Sequence, residues 1–152
     1  MKYPILSVLL LVFTLMLSGC GKGATAIPIA PTTSTEPLAV EDKASLVAAL
    51  QASGATVEAG EPVTQPFFSP EGSIIKVNEA DVQVFEYETT EAMENEAAQV
   101  VPDGGSIGTS MVTWMDTPHF YKAGRIIVLY VGSDETILNL LESVIGPQFA
   151  GR

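Results

Sequence analysis

Ile126-Ile127-Val128-Leu129-Tyr130-Val131 is the stretch that decides the fold. Successive side chains of a strand point to opposite faces of a sheet, so a run that is apolar at every position predicts a central strand covered on both faces. The turn at Lys122-Ala123-Gly124 joins it to a preceding arm, predicted over Met111–Asp116 and His119–Tyr121. Pro118 cannot donate to a ladder and predicts a bulge or an edge in that arm.

A helix is predicted directly after the central strand. Ser133 or Asp134 can cap its N-terminus, and Gly146-Pro147 ends it. Its apolar residues form one stripe at helical spacing, which is typical of a helix with a single buried face. They are Ile137, Leu138, Leu141, Val144 and Ile145.

The chain before this hairpin predicts two further helices and several short strands. One helix is capped by Asp42 and extends through Ala52, and another is capped by Thr89 or Thr90 and extends to about Val101. Extended segments are predicted at Thr56–Glu58, Val63–Phe67, Ile74–Asn78 and Val82–Tyr87. The order is roughly αβββαββα. This predicts an α+β fold, an antiparallel sheet of four to six strands packed with two or three helices, ferredoxin-like in outline.

The doubly apolar central strand needs cover on its second face. We expect the first helix of the same chain to supply it. The alternative is a second copy of the chain, in a homodimer.

Leu17-Ser18-Gly19-Cys20 closes an apolar run, Ile5–Met16, that follows the basic residue Lys2. The run is shorter than the roughly 20 residues of a membrane-spanning helix, so it predicts a cleaved secretory signal. The tetrad resembles the lipobox of bacterial lipoproteins, in which the cysteine thiol receives a diacylglycerol and the chain is cut before it. Cys20 is therefore the expected lipidation site and membrane anchor, at the extracytoplasmic face of the cell membrane.

Three regions follow from this interpretation. Residues 1–19 are the signal peptide, residues 20–40 are the lipidated cysteine and a disordered tether rich in Pro, Thr and Ala, and residues 41–152 are one α+β domain. A domain of that size can support a single hydrophobic core.

Charge and cysteine content exclude several classes of function. The chain has 7 basic and 18 acidic residues, a formal charge of −11, and loss of Lys2 with the signal peptide leaves −12. So acidic a domain repels nucleic acid and anionic lipid headgroups. Cys20 is the only cysteine, so the mature domain has no thiol for disulfides, metal ligation or nucleophilic catalysis. We expect no cofactor.

Two polar segments receive ordinary structural interpretations. The glutamates at 86, 88, 91, 94 and 96 lack the loop spacing of a calcium site, so we expect a solvated acidic face and no metal. The glycine-rich segment Asp103–Gly108 leaves a helix and enters a strand, the reverse of a phosphate-binding loop, and is predicted to be a connector.

His119 is the only histidine and lies close to Asp116 in the chain. A catalytic triad could be drawn with a serine at 106, 110 or 133, but no Gly-x-Ser-x-Gly pattern accompanies it. We therefore expect His119 to flank a strand bulge and to hydrogen-bond locally. Catalysis by His119 and Asp116 is the alternative.

Phe67 and Phe68 are the candidate binding residues. They lie in the proline-bounded stretch Gln65–Pro70, which is hard to place in regular structure. Most aromatic residues of the chain are expected in the core, but these two could form a hydrophobic contact for a partner from a loop.

The mature domain resembles a family of small bacterial lipoproteins that has no assigned activity. The resemblance depends on four stretches: Gly60–Phe68, Val82–Tyr87, Thr117–Tyr121 and Gly146–Phe149. It implies an extracytoplasmic lipoprotein and no particular chemistry.

Three functions are compatible with the sequence. The first is a non-enzymatic, lipid-anchored module that binds a partner protein in the cell envelope. The second is a small envelope hydrolase that uses His119. The third is a solute-binding component, for which a domain of this size would offer only a small pocket.

Overall fold

The computed structural model describes residues 39–152. The lipobox, Cys20 and nearly all of the predicted tether lie outside the described residues. In chain order the elements are α1 (Lys43–Ala52), β1 (Val57–Val63), β2 (Gly72–Val77), β3 (Ala80–Glu86), α2 (Thr90–Ala97), β4 (Ser106–Ile107), β5 (Ser110–Met111), β6 (Pro118–Ala123), β7 (Ile126–Val131), α3 (Glu135–Ile145) and β8 (Ala150–Gly151).

One antiparallel sheet organises the domain. Its strand order is β1-β2-β3-β7-β6-β8, and β4 and β5 form a separate small hairpin. The α+β class is therefore confirmed, with three helices and a main sheet of six strands within residues 39–152. Strand β7 lies between β3 and β6 and is buried along Ile126–Tyr130, so the prediction of a central, doubly covered strand is confirmed.

One face of the sheet, here the aliphatic face, carries Ile126, Val128 and Tyr130 of β7. Helices α1 and α3 cover it, and Leu46 and Leu141 are fully buried against the strands. Burying a leucine or isoleucine side chain contributes about 1.5–3 kcal/mol, so this layer is a main source of stability. The predicted stripe of α3 packs against this face.

The opposite face, here the aromatic face, carries Ile127 and Leu129 of β7. It is covered by α2, by the segment that contains Phe68, and by the β4–β5 hairpin. Cover within the chain is thus confirmed, but α2 provides it, whereas α1 lies beside α3. The helices are divided between the two faces of the sheet.

Short polar side chains fix where the helices begin. Asp42 and Ser45 form a reciprocal capping box at α1, in which the Ser45 amide donates to Asp42 Oδ1 at 2.9 Å. Thr89 caps α2 and Asp134 caps α3. All three caps match predicted candidates. The second helix ends at Ala97, earlier than the predicted Val101.

Three segments differ from the sequence-based expectation. Strand β1 is continuous across the gap between the predicted segments Thr56–Glu58 and Val63–Phe67, and its register against β2 shifts between Ala59 and Pro62. Strand β6 begins at Pro118, the first residue of a strand being a position where a missing N–H is tolerated. Residues 112–117 are a loop and not the predicted strand. Residues 64–71 are likewise irregular.

Two glycines are required by close approaches of the chain. A Cβ on Gly72 would lie 2.5 Å from the Phe85 ring, and one on Gly124 would lie 2.2 Å from the Glu41 carbonyl oxygen. Gly124 also has a φ of +50° in the β6–β7 turn. The first glycine makes room for the aromatic face, and the second lets the β6–β7 turn contact the start of α1.

The outer strand β1 is protected against pairing with another sheet. It carries Glu58 and Glu61 as exposed charges and Pro62 without an N–H, next to the register shift. Charge, proline and irregular register are the devices by which natural sheet edges avoid association.

Candidate functional site

A continuous chain of aromatic rings crosses the aromatic face. Phe68 packs on Phe85 with ring centroids 4.8 Å apart, Phe67 meets Phe68 edge-on at 5.1 Å, and Trp114 meets Phe67 and Phe120 at 5.9 and 5.7 Å. Edge-to-face pairs at these distances are favourable. Phe68 is only 5% exposed and belongs to the core, so of the two predicted contact residues only the half-buried Phe67 reaches the surface.

Glu96 on α2 holds the segment that carries these phenylalanines. Its carboxylate accepts hydrogen bonds from the Ser69 amide at 3.1 Å and from the Tyr87 hydroxyl at 2.8 Å. Burial raises the pKa of Tyr87 far above its ordinary value, and the bond to Glu96 adds to the shift. Tyr87 therefore stays a neutral donor, and the irregular segment has a fixed position on α2.

The methionine loop is our name for residues 108–117, which include strand β5 and the irregular chain after it. Its own tryptophan, Trp114, fixes it to the rest of the domain. Trp114 Nε1 donates to the Gly104 carbonyl at 2.7 Å, and the Val112 amide donates to the Gly105 carbonyl at 3.1 Å. The indole is half-buried among the rings already described. The backbone of the loop is thus fixed on the aromatic face.

The same loop presents two large apolar side chains to solvent. Met111 is 93% exposed and Met115 is fully exposed, and within residues 39–152 they are the large hydrophobic side chains that stand free of the surface. Beside them lies a groove of about 410 Å³ whose lining includes Trp114, Asp103 and Asp116. Exposed methionine is common on surfaces that adapt to a protein partner.

His119 is 5% exposed, in strand β6. Its Nδ1 lies 2.8 Å from Gln148 Oε1, its Nε2 lies 3.1 Å from the Gly132 carbonyl oxygen, and its ring stacks on Tyr130. Both nitrogens have partners, which is the pattern of a structural histidine. The expected local hydrogen bonding is wrong, however, because both partners are distant in the chain.

Asp116 and His119 do not form a dyad. The Asp116 carboxylate accepts the Thr117 amide at 2.7 Å, and the two residues line different grooves. Within the described part of the chain, no serine hydroxyl bonds to His119. The structure therefore does not bring the predicted catalytic groups together.

A second groove, the α3–β6 groove, was missed by sequence reasoning. It has a volume of about 470 Å³ between helix α3 and strand β6. Its lining includes His119, Tyr121, Glu135, Leu138, Asn139 and Glu142. The signal that could have found it is the polar set at 135, 139 and 142, which shares one side of α3.

The predicted acidic face is partly neutralised by neighbouring groups. Glu86 pairs with Arg125 at 2.5 Å, Glu94 pairs with Lys122, and Glu96 has the two donors already described. No group of three or more acidic or histidine side chains within residues 39–152 is arranged to hold a metal ion.

Comparison with known protein-family models, curated proteins and solved structures gives no significant match to this chain. In residues 39–152 none of the helices has the length and apolar character needed to cross a membrane.

Proposed function

We propose that this chain is a lipid-anchored extracytoplasmic lipoprotein whose domain binds a protein of the cell envelope through the methionine loop. The observation that carries the proposal is the pair Met111 and Met115, held in solvent on a backbone fixed by Trp114. A flexible loop would let such side chains turn inward, but an anchored one keeps them exposed at a cost in hydration.

Anchoring is supported by the lipobox at Leu17-Ser18-Gly19-Cys20. Two or three acyl chains on Cys20 would hold the domain at a membrane almost permanently. Residues 21–40, if extended, reach about 65 Å at about 3.3 Å per residue. The tether is thus long enough to bring the domain to a neighbouring membrane protein.

A protein suits the methionine loop better than a bilayer surface does. Asp116 adjoins Met115, Asp103 lines the same groove, and the whole chain has a formal charge of −11. Anionic headgroups would repel this region. The matching surface is therefore an apolar pocket with a basic rim, into which the two thioether side chains insert.

Site-specific photo-crosslinking tests the proposal in native membranes. A photoreactive phenylalanine replaces Met115 in the full-length protein, and a matched variant carries it at Gln51, an exposed residue of α1 on the other side of the sheet. We expect one dominant protein adduct from position 115 and none from position 51.

Two further variants control this experiment. Cys20→Ser should abolish both membrane retention and the adduct. Met111→Ser with Met115→Ser, read by affinity capture, should release the partner while the melting temperature stays unchanged, because exposed side chains contribute little to stability. Equal adducts at both positions, or none at either, would contradict the proposal.

The hydrolase alternative has no observation in its favour within the described residues. Both nitrogens of His119 are occupied, and Asp116 bonds elsewhere.

A further inference from the structure

The α3–β6 groove contains a hydroxyl group with no protein partner. Tyr121 is only 2% exposed, and within residues 39–152 its hydroxyl makes no hydrogen bond. Every fully enclosed side-chain nitrogen or oxygen in the same residues does have a partner. The Tyr121 hydroxyl must therefore reach the groove that this residue lines. An almost buried residue thus presents a single polar atom to whatever enters.

The groove also has a carboxylate towards each end. Glu135 and Glu142 both line it, and they are separated by seven residues of α3, or about 10 Å along the helix axis. Leu138 lies between them on the helix, and Pro147 supplies a second apolar contact. Along α3 the pattern of the groove is therefore negative, apolar and negative, and Arg152 lines the groove from the C-terminal segment.

This pattern excludes three classes of ligand. One metal ion cannot bind both carboxylates, since its oxygen ligands must lie within about 2.6 Å. Arg152 lines the groove, but its guanidinium pairs with Asp103 at 3.7 Å and the two glutamates repel an anion, so an anion finds little attraction. A sugar would need an exposed aromatic face for stacking, and Tyr121 offers only its hydroxyl.

We propose that the α3–β6 groove binds a linear aliphatic diamine. One ammonium group pairs with Glu135 and the other with Glu142, while the methylene chain lies over Leu138. The Tyr121 hydroxyl accepts a hydrogen bond from the ammonium group at the Glu142 end, and the amide oxygen of Asn139 lies on the same side of the helix. Arg152 lines both this groove and the one beside the methionine loop, but the diamine site does not depend on the proposed partner.

Electrostatics at Tyr121 are compatible with that role. Burial raises the pKa of the Tyr121 hydroxyl above its ordinary value, and the nearby negative charge of Glu142 adds to the shift. The group therefore remains a neutral phenol at any physiological pH, with a lone pair free to accept an N–H.

Isothermal titration of the full-length protein in neutral detergent micelles tests the proposal. The probes are cadaverine, which has two ammonium groups, pentylamine, which has one on a chain of equal length, and glutarate, the matching dianion. We expect cadaverine to bind about tenfold more tightly than pentylamine, and glutarate not to bind. Equal affinity for both amines, tighter binding of glutarate, or no binding of millimolar cadaverine would overturn the proposal.

Three substitutions locate the binding within the groove. Glu135→Gln and Glu142→Gln should each weaken cadaverine binding about tenfold, and Tyr121→Phe about threefold, with melting temperatures showing that each variant is folded. Glu88→Gln, an exposed charge outside the groove, is the matched control and should change nothing. An equal loss in Glu88→Gln would show general attraction to an acidic protein and would overturn the site.

Discussion

The two faces of the sheet are built by different means. The aliphatic face is made by two helices, α1 and the strongly amphipathic α3, whose apolar side chains fill space against β7. The aromatic face has one short helix, and its remaining cover is the β4–β5 hairpin and irregular chain fixed by ring contacts and by hydrogen bonds to Glu96 and Gly104. Apolar periodicity is enough for the first construction, whereas the second depends on particular pairs of residues. The face built from particular pairs is also the one that carries the exposed methionines.

Single large-to-small substitutions in the core of either face should cause the largest losses of stability. Phe120→Ala removes a fully buried ring that contacts Trp114, and should lower the free energy of unfolding by about 3–5 kcal/mol. Leu141→Ala, its counterpart on the aliphatic face, should cost about 2–5 kcal/mol. Urea unfolding followed by circular dichroism measures both.

The fluorescence of Trp114, the only tryptophan, then separates the two variants. Native emission should shift to the red in Phe120→Ala and stay unchanged in Leu141→Ala. An equal shift in both would show that the two layers do not respond independently.

His119 is the buried polar residue of the aliphatic side, and His119→Ala should have the next largest effect. The substitution leaves the Gly132 carbonyl and the Gln148 amide without their partner, which should cost about 2–3 kcal/mol. Thermal unfolding measures the loss. Asp116→Ala, at an exposed residue with one neighbouring bond, should cost under about 0.5 kcal/mol. Comparable losses in the two variants would indicate a coupled pair that the hydrogen bonds do not show.

Glu96→Ala tests whether hydrogen bonds organise the aromatic face. It removes the acceptor of Ser69 and Tyr87, and should lower the free energy of unfolding by about 1–2 kcal/mol. Because Phe67 belongs to the released segment and contacts Trp114, tryptophan emission should also shift. Glu88→Ala is the matched control and should leave both readings unchanged. A stable Glu96→Ala variant with unshifted emission would mean that ring packing alone holds the segment.

The smallest expected effect concerns the start of α1 and depends on pH. Hydrogen bonds from the Ser45 backbone and side chain hold the pKa of Asp42 below its ordinary value, and Arg125 adds to this. A carboxyl group whose pKa is lowered by folding stabilises the protein above its unfolded pKa, and that contribution is lost as the pH falls through the folded value.

Asp42→Asn keeps a good helix cap but removes the charge. Its melting temperature should lie slightly below that of the natural protein at neutral pH, and the difference should vanish in acid. A difference that grows in acid would contradict the assigned sign.

Strong periodic signals in the sequence predicted much of the fold. The unbroken run Ile126–Val131 and the stripe of α3 each specify an element without reference to the rest of the chain. Strand β8 and the burial of Phe68 could not be predicted in this way. Ala150-Gly151 is too short to carry a pattern, and Phe68 packs on the ring of Phe85, a residue distant in the sequence.

The candidate sites were harder to predict than the fold. His119 and Asp116 are close in sequence, which suggested a catalytic pair. In the structure the two side chains bond to other groups. The exposure of Met111 and Met115 depends on the position of the Trp114 side chain and its hydrogen bond to Gly104. No local sequence pattern predicts that position. Predicting the α3–β6 groove requires knowing that β6 lies beside α3, and this depends on the topology of the fold and not on composition.

The composition of the outer strand β1 affects how copies of the domain would associate if many of them were held on one surface. Copies tethered to one membrane, as proposed, would collide sideways far more often than free molecules do, and always with the same restricted orientations. At the exposed edge of β1, the charges of Glu58 and Glu61 repel a second copy. Pro62 has no N–H to donate, so the edge does not offer an open row of backbone groups for pairing. Under the proposed anchoring, a high surface density of this protein is therefore compatible with domains that do not associate edge to edge.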